Sequence, residues 1–243
     1  MKSRFLTIAG LALLIVSGSS FPAAALKISP FKAAMVAGTD TSKVFHVENN
    51  SSESAAVQIS METWSITPEG TEVNRDAEDE FTVFPAQVVL KPHERRAVRI
   101  QWLGSDLPQK EKAYRVLAEQ IPISLLDTPA AGSGLKFLLR FKAGLYIGPA
   151  KPAADVVVAK TEPHGLNTLR VTLQNNGTGH TLMRNPQLTL TLEDGQTVIV
   201  KDTDLRGLAG SNMHAGSTRY FDVSVPSGLS SVKAAHLVFE SAF

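Results

Sequence analysis

Apolar and polar residues alternate along most of this chain, and this period of two limits the possible folds more than any other feature. In residues 55–64, Val57, Ile59 and Met61 fall on one face of an extended segment, with polar residues between them. Residues 97–102 repeat the pattern. No segment combines a helical period with capping residues over more than about two turns. The sequence therefore predicts an all-β protein.

Turn and linker signals divide the alternating segments into two groups. Further short strands are predicted at residues 44–47, 83–90, 114–123, 135–147, 156–158, 169–173, 188–192, 197–200, 220–225 and 232–239. Two prolines in residues 148–152 mark a linker, and residues 175–177 and 194–195 are typical of hairpin turns. The chain is therefore predicted to form two immunoglobulin-like β-sandwich domains, residues 26–148 and residues 149–243.

The N-terminus has the organisation of a secretory signal peptide. Lys2 and Arg4 form a positive start, residues 5–16 form an apolar run, and residues 23–25 are three alanines suited to cleavage. An apolar run of about 12 residues is too short to cross a bilayer, which takes roughly 20. We therefore expect residues 1–25 to be removed after export.

Composition argues against several kinds of chemistry. The formal net charge is only +1, which gives no overall basic surface for nucleic acid. The chain has no cysteine, so disulfides, iron–sulfur clusters and thiolate zinc sites are excluded. Its six histidines show neither HxH nor HExxH spacing, and no GxSxG nucleophile motif occurs. We therefore expect a protein that is not an enzyme and that needs no metal, cofactor or small-molecule substrate.

The segment before the linker carries an unusual set of bulky apolar side chains. One face of the strand predicted at residues 135–147 presents the apolar row, which consists of Leu135, Phe137, Leu139 and Phe141. The opposite face presents Lys136, Leu138, Arg140 and Lys142. A long edge strand of this kind invites pairing with another chain unless something covers it. Two interpretations stay open: strand addition to a partner protein, and an ordinary half-buried strand of the N-terminal sandwich.

Arg115 is the second unusual residue in this region. Strand alternation places it on the same face as Leu117, Glu119 and Ile121. An arginine beside apolar side chains needs an anionic partner, since an unpaired desolvated charge is costly. The partner is either Glu119, two residues further along the strand, or a group brought by another molecule.

Four stretches carry a resemblance to a known family. They are residues 84–92 (FPAQVVLKP), 97–100 (AVRI), 111–122, which end in EQIP, and 135–149. In this order, and after a signal peptide, they resemble the PapD-like periplasmic chaperones of the chaperone–usher pilus pathway. The resemblance implies two immunoglobulin-like domains arranged as a boomerang in the periplasm. It also implies that the last strand of the first domain is lent to an incomplete pilus subunit, which is then delivered to an outer-membrane usher.

The resemblance also implies that the side chains of the apolar row fill a groove on the subunit. The family's usual anchor for the subunit's terminal carboxylate pairs an arginine on the first strand with a lysine late on the donor strand. Here the first position falls near Lys32, and the second falls on Gly144, which has no side chain to bind with. We therefore predict that Arg115 holds the carboxylate, assisted by Lys32 or Lys142. Arg140 is a further candidate.

A second departure from the family pattern concerns the contact between domains. Val89 stands where many members place an arginine of the interdomain ion-pair network. Together with Gly144, this departure points to the alternate, or archaic, branch of the family. A secreted structural or adhesive module of two β-sandwiches is the alternative function. That alternative is less favoured. A pilin would be a single incomplete domain with its own N-terminal donor segment, whereas this sequence predicts two domains.

Overall fold

The structure, a computed structural model, describes residues 26–122, 138–205, 207–226 and 232–242. The segment predicted to be a signal peptide lies outside these residues, and so do Leu135 and Phe137 of the apolar row. Within the described ranges, no helix has the length and apolar composition needed to cross a membrane. In the same ranges, no group of three or more histidine or carboxylate side chains is placed to hold a metal ion.

Ten strands form the N-terminal pair of sheets. They are β1 (Leu26–Ser29), β2 (Lys32–Val36), β3 (Ser42–Asn49), β4 (Ala55–Ile66), β5 (Glu72–Asp76), β6 (Phe81–Phe84), β7 (Gln87–Leu90), β8 (Arg95–Trp102), β9 (Lys112–Ile121) and β10 (Arg140–Gly148), with a 3-10 helix at Glu78–Glu80. One sheet has the strand order β1-β3-β8-β6. The other has the order β2-β10-β9-β4-β5, with β7 also paired to β4. β2 and β10 run parallel, whereas β9 and β10 run antiparallel.

Side chains from these two sheets form one buried core. Val57, Ile59 and Met61 of β4 are buried, as the alternation predicts. The facing sheet contributes Phe45, Val47, Val98, Ile100 and Trp102. Full burial of one such side chain stabilises a fold by about 1.5–3 kcal/mol. This core therefore fixes the position of the sheet edges around it.

The prediction of a single strand at residues 83–90 is wrong. β6 pairs with β8, whereas β7 pairs with β4 in the other sheet. Pro85 has no amide hydrogen and cannot continue a ladder as a donor. The chain crosses between the sheets at this point, where the Ile59 amide donates a hydrogen bond to the Ala86 carbonyl at 2.7 Å.

Seven strands form the C-terminal pair of sheets. They are β11 (Val156–Pro163), β12 (Thr168–Asn175), β13 (Thr181–Leu192), β14 (Thr197–Lys201), β15 (Asn212–Met213), β16 (Thr218–Ser224) and β17 (Val232–Ala242), with a 3-10 helix at Asp202–Leu205. One sheet has the order β11-β12-β16, and the other has the order β14-β13-β15, with β17 also paired to β13. Leu173, Met183 and Leu190 belong to the core between them. The chain is therefore an all-β protein of two sandwiches, as predicted.

The two predicted hairpins have different outcomes. Residues 194–195 lie in the turn between the antiparallel neighbours β13 and β14, with Gly195 at a φ of 82°, so this prediction is confirmed. Residues 175–177 instead start at the last residue of β12 and lead to β13 in a different sheet, so the second prediction is wrong. The side-chain amide of Asn175 is buried within hydrogen-bonding distance of three backbone carbonyls. These contacts hold the crossing between the two sheets.

Candidate functional site

β10 has two parts that differ in their pairing. Residues 144–148, the closed segment, pair with β2 on one side, starting with Lys32 opposite Gly144, and residues 144–147 also pair with β9 on the other side. Residues 140–143, the open segment, pair with β9, and no other described strand pairs with their second side. The open segment therefore forms a sheet edge directly before the point where β2 closes the ladder.

The hydrogen-bond pattern shows which main-chain groups of the open segment face the free side. The Leu139 carbonyl accepts a hydrogen bond from β9, and the Gly144 amide donates one in the opposite direction to Phe31, both at 2.8 Å. Because main-chain groups alternate in direction along a strand, those of Arg140 and Lys142 point to the free side. An edge with unpaired amides and carbonyls is a template for an added strand.

The two described members of the apolar row pack against the N-terminal core. Leu139 immediately precedes β10 and Phe141 lies within it, and both are half-buried against that core. Leu138, on the opposite face, is 60% exposed. Leu139 and Phe141 therefore form a half-buried part of their own sandwich. The role of the row towards a partner stays a prediction.

The outer face of this sheet, which points away from the core, brings the anchor candidates together. The ladder register places Lys32, Gly144, Arg115 and Glu62 side by side on β2, β10, β9 and β4. β9 pairs directly with β10, as expected for the strand that carries Arg115. The residues on either side of Arg115 are the ones that face the core. Arg115 therefore does not point into the sandwich but lies on its outer face.

Arg115 lies over an aromatic ring and holds a carboxylate. Its guanidinium carbon is 3.4 Å from the centroid of the Trp64 ring, a cation–π contact. Its Nη2 donates a hydrogen bond to Oε2 of Glu72 at 2.8 Å. Its Nε is buried and has no hydrogen-bond partner among the described residues. Glu119 is not its partner, contrary to one of the two interpretations, because Glu119 pairs with Nε of Arg140 at 2.9 Å.

Glu72 joins two of the anchor candidates through one carboxylate. Its Oε2 accepts from Arg115, and its Oε1 accepts from Nζ of Lys142 at 2.9 Å. The side-chain amide of Asn74 also donates to Oε1, at 2.8 Å. Burial acts to raise the pKa of this carboxyl group, but its three donors outweigh burial and lower the pKa to about 2. Glu72 therefore stays ionised and binds side chains of both β9 and β10.

The other two candidates differ in their partners. Arg140 pairs with Glu62 and with Glu119, both at 2.9 Å. Lys32 has no ion pair among the described residues. Burial lowers the pKa of Lys32, and the nearby Arg184 of the second domain lowers it further. Glu111 acts in the opposite direction, but Lys32 is the one anchor candidate without an ion pair in the described part of the chain.

Gly144, where the family pattern has a lysine, lies beside two aromatic rings. A Cβ atom at this position would lie 3.3 Å from the Tyr146 ring and 3.4 Å from the Trp64 ring. These separations leave no free space for a longer side chain along that direction. Cationic groups near Gly144 therefore come from the neighbouring strands. Lys32 on β2 and Arg115 on β9 are its two ladder partners.

The second domain packs on the same outer face, against the closed segment. The Tyr146 ring stacks on His180 with centroids 3.5 Å apart, and its hydroxyl accepts a hydrogen bond from Asn212 at 2.7 Å. Within the described residues, the one acid–base pair between the domains joins Oε2 of Glu111 to Nδ1 of His180 at 2.7 Å. Val89 lies on β7 and is 55% exposed. Aromatic and histidine contacts thus hold the domains together here.

His214 completes the contact between the domains. Its ring meets Trp64 edge-on, with centroids 4.4 Å apart. Burial lowers the pKa of His214 to about 4, and electrostatic interactions with His180 and Arg115 act in the same direction. His214 is therefore neutral near pH 7, and its protonation would place a charge in the interface.

Sequence reasoning missed Glu72, Trp64 and Tyr146 as site residues. Glu72 begins β5, a strand without apolar alternation, so no local signal marked it. The two aromatic residues did leave a signal. Each lies at a position of its strand where the alternation puts polar, outward-facing side chains. A large aromatic ring at such a position indicates that another part of the protein packs on the outer face.

Comparisons with known proteins agree with this architecture. Residues 32–153 match the family described as pili and flagellar-assembly chaperones, PapD N-terminal domain. The fold is similar to the class 5 fimbriae chaperone CfaA, at 14% identity and a TM-score of 0.56, over 90% of this chain and 100% of that one. No curated protein matches by sequence.

Two further structures are complexes. The fold is similar to a chain of the Salmonella enterica SafA pilin–SafB chaperone complex, at 16% identity and a TM-score of 0.55, over 89% of this chain and 96% of that one. It is also similar to a chain of the CsuC–CsuE chaperone–tip adhesion subunit complex of archaic pili of Acinetobacter baumannii. That match has 16% identity and a TM-score of 0.52, over 82% of this chain and 90% of that one. At such identities the likeness shows a shared fold of two immunoglobulin-like domains.

Proposed function

Because this chain belongs to the family of pili and flagellar-assembly chaperones with the PapD N-terminal domain, we propose that it binds a pilus subunit by adding the open segment to the subunit's sheet. The observation that carries this proposal is the main-chain edge at residues 140–143, whose second side is not paired by any described strand. Two structures of similar fold are chaperone–subunit complexes, which supports the same type of partner. The chaperone would act in the periplasm after removal of residues 1–25 and deliver its subunit to an outer-membrane usher.

The apolar row would fill a groove on the subunit, and the outer face would hold the subunit's terminal carboxylate beside Gly144. Arg115 is the main candidate for this contact, because its guanidinium is fixed by Trp64 and its Nε has no partner in the described chain. Lys32 supports it from the other side of Gly144. The assignment to the archaic branch stays a prediction, since the similar structures show only the fold. Nothing in the site favours a structural or adhesive module.

Lys142→Pro tests the strand addition. The Lys142 amide points to the free side of β10, so proline removes a donor that the chaperone itself does not use. We expect subunit capture to weaken by on the order of tenfold or more relative to Lys142→Ala, which loses the same side chain but keeps the amide. Both variants should unfold at similar temperatures. Equal capture by the two variants would show that this edge does not bind the subunit.

Arg115→Ala and Lys32→Ala test the anchor. Leaving a partly desolvated carboxylate unpaired should weaken capture by about 2–5 kcal/mol in Arg115→Ala. The loss should disappear when the subunit's C-terminus is extended by several residues, because the carboxylate then no longer reaches the site. If Arg115→Ala captures subunit normally and Lys32→Ala does not, the anchor lies on β2 instead.

A further inference from the structure

Glu72 reaches its cations from an unexpected direction. Its ladder partner on β4 is Ile66, four residues beyond Glu62, which is the ladder neighbour of Arg115. The end of the β4–β5 hairpin must therefore curve over the outer face to bring the carboxylate to Arg115 and Lys142. The turn of this hairpin also contacts the second domain, where the Tyr220 amide donates to the Pro68 carbonyl at 2.7 Å.

The contacts of Glu72 have the form expected of a bound carboxylate ligand. Each oxygen accepts from a different cation, and the two cations belong to β9 and β10, the strands that form the candidate binding edge. Both side chains of the pair are held mostly out of solvent, with Arg115 17% and Glu72 32% exposed. A charge-assisted pair in such surroundings is stronger than one in open water.

A partner's carboxylate cannot occupy the same donors while Glu72 holds them. Nη2 of Arg115 and Nζ of Lys142 both point at Glu72, and a second carboxylate beside the first would suffer like-charge repulsion. Binding of an external carboxylate to these two donors therefore requires Glu72 to leave. The hairpin end allows this, because β5 is the outermost strand of its sheet and is mostly exposed.

We propose that Glu72 is a resident carboxylate that fills the Arg115–Lys142 site in the free protein and is displaced by the terminal carboxylate of a bound protein partner. The identity of that partner as a pilus subunit rests on the function proposed above; the displacement itself does not. Glu72 makes the site selective, because an anion alone must compete with an attached carboxylate, whereas a partner that also adds a strand gains enough to displace it.

Acetate, the simplest carboxylate probe, tests the displacement without any subunit. The Arg115 Nε–H resonance of the mature chain is followed by NMR during titration with sodium acetate, with sodium chloride as the salt control. In Glu72→Gln, acetate should shift this resonance, and in the wild type it should not within the same concentration range. Glu62→Gln, which alters a carboxylate paired with Arg140 on the same face, is the matched control and should behave as the wild type.

Subunit binding provides the second readout. We expect Glu72→Gln to bind a co-purified subunit on the order of tenfold more tightly than wild type does, and to show no gain for the same subunit with an amidated C-terminus. Asn74→Ala, which removes one donor from the Glu72 carboxylate, should give a smaller gain in the same direction.

Equal responses of wild type and Glu72→Gln to acetate would overturn the proposal, and so would weaker subunit binding by Glu72→Gln. The second result would mean that Glu72 positions Arg115 for its ligand. If wild type captures no subunit at all, the proposed function fails, but the acetate titration still decides whether Glu72 occupies a carboxylate site.

Discussion

The two parts of β10 belong to one strand, yet they have different physical roles. The closed segment has a neighbour strand on each side and is almost completely buried, with Leu145 and Ile147 at 0% exposure. The open segment has one neighbour strand among the described residues and exposes Arg140 and Lys142. Pairing with β2 starts at Gly144, so the division falls at one residue. A short neighbour strand that ends early thus leaves part of β10 as an open sheet edge among the described residues.

The composition of the two parts explains this division. The closed segment has no charged residue, and its large side chains Leu145, Tyr146 and Ile147 are buried against the core or the second domain. The open segment alternates charged and apolar residues, which suits a strand with one solvated face. Arg140 and Lys142 form ion pairs with glutamates on the outer face of this exposed part, which has no second neighbour strand among the described residues.

The largest difference between the two parts should appear in stability. Leu145→Ala removes a fully buried side chain and should lower the free energy of unfolding by about 2–5 kcal/mol. Leu139→Ala removes a half-buried one and should cost less than about 2 kcal/mol, while weakening subunit capture. Urea denaturation of both variants measures the first effect, and pull-down of subunit measures the second. Equal losses of stability would show that the open segment is as much a part of the core as the closed one.

Acid should act on the closed segment through its contact with the second domain. The folded protein holds the pKa of His214 at about 4, against an ordinary value of 6.5, through burial and through His180, Arg115 and Arg219. Glu72 opposes this shift. Between pH 6.5 and 4 the unfolded chain therefore binds more protons than the folded one. The stability held by a neutral His214 is complete above pH 6.5 and falls as the pH approaches 4, by on the order of 3 kcal/mol.

His214→Gln isolates this contribution, because glutamine does not titrate. The free energy of unfolding, measured by urea denaturation at several pH values, should depend less on pH in the variant than in wild type between pH 6.5 and 4. If the free energy of unfolding depended on pH equally in wild type and variant, protonation of His214 would not destabilise the fold. The protonated ring would then have to be solvated, with the contact between the domains open.

The features that the sequence predicted depend on residues close together in the chain, whereas the features that it missed depend on residues far apart in the chain. Alternation located β4 and β8 with their buried faces, because successive residues of a strand point to opposite sides of the sheet. It also located β9, but the face with Leu117 and Ile121 that it marked as apolar is the outer one, since Tyr114, Val116 and Ala118 face the core. β2 and β5 escaped, since neither alternates, and yet β2 closes β10 and β5 carries Glu72. The partner of Arg115 is 43 residues away along the chain and in an unpredicted strand. No local pattern points to it, and the nearer Glu119 was the natural but wrong choice.

The smallest effect should come from the ion pairs of the open segment. Arg140 and Glu119 are 46% and 38% exposed, and exposed pairs of this kind stabilise proteins by about 0–1 kcal/mol. Glu119→Gln should therefore change the free energy of unfolding by less than about 1 kcal/mol, and 1 M salt should reduce even that difference, because salt screens exposed charges. A loss well above 1 kcal/mol would mean that this pair locks the open segment onto β9 as part of the fold. In that case the open segment would contribute to the stability of the fold, as the closed segment does. The two parts of β10 would then differ only in their exposure to solvent.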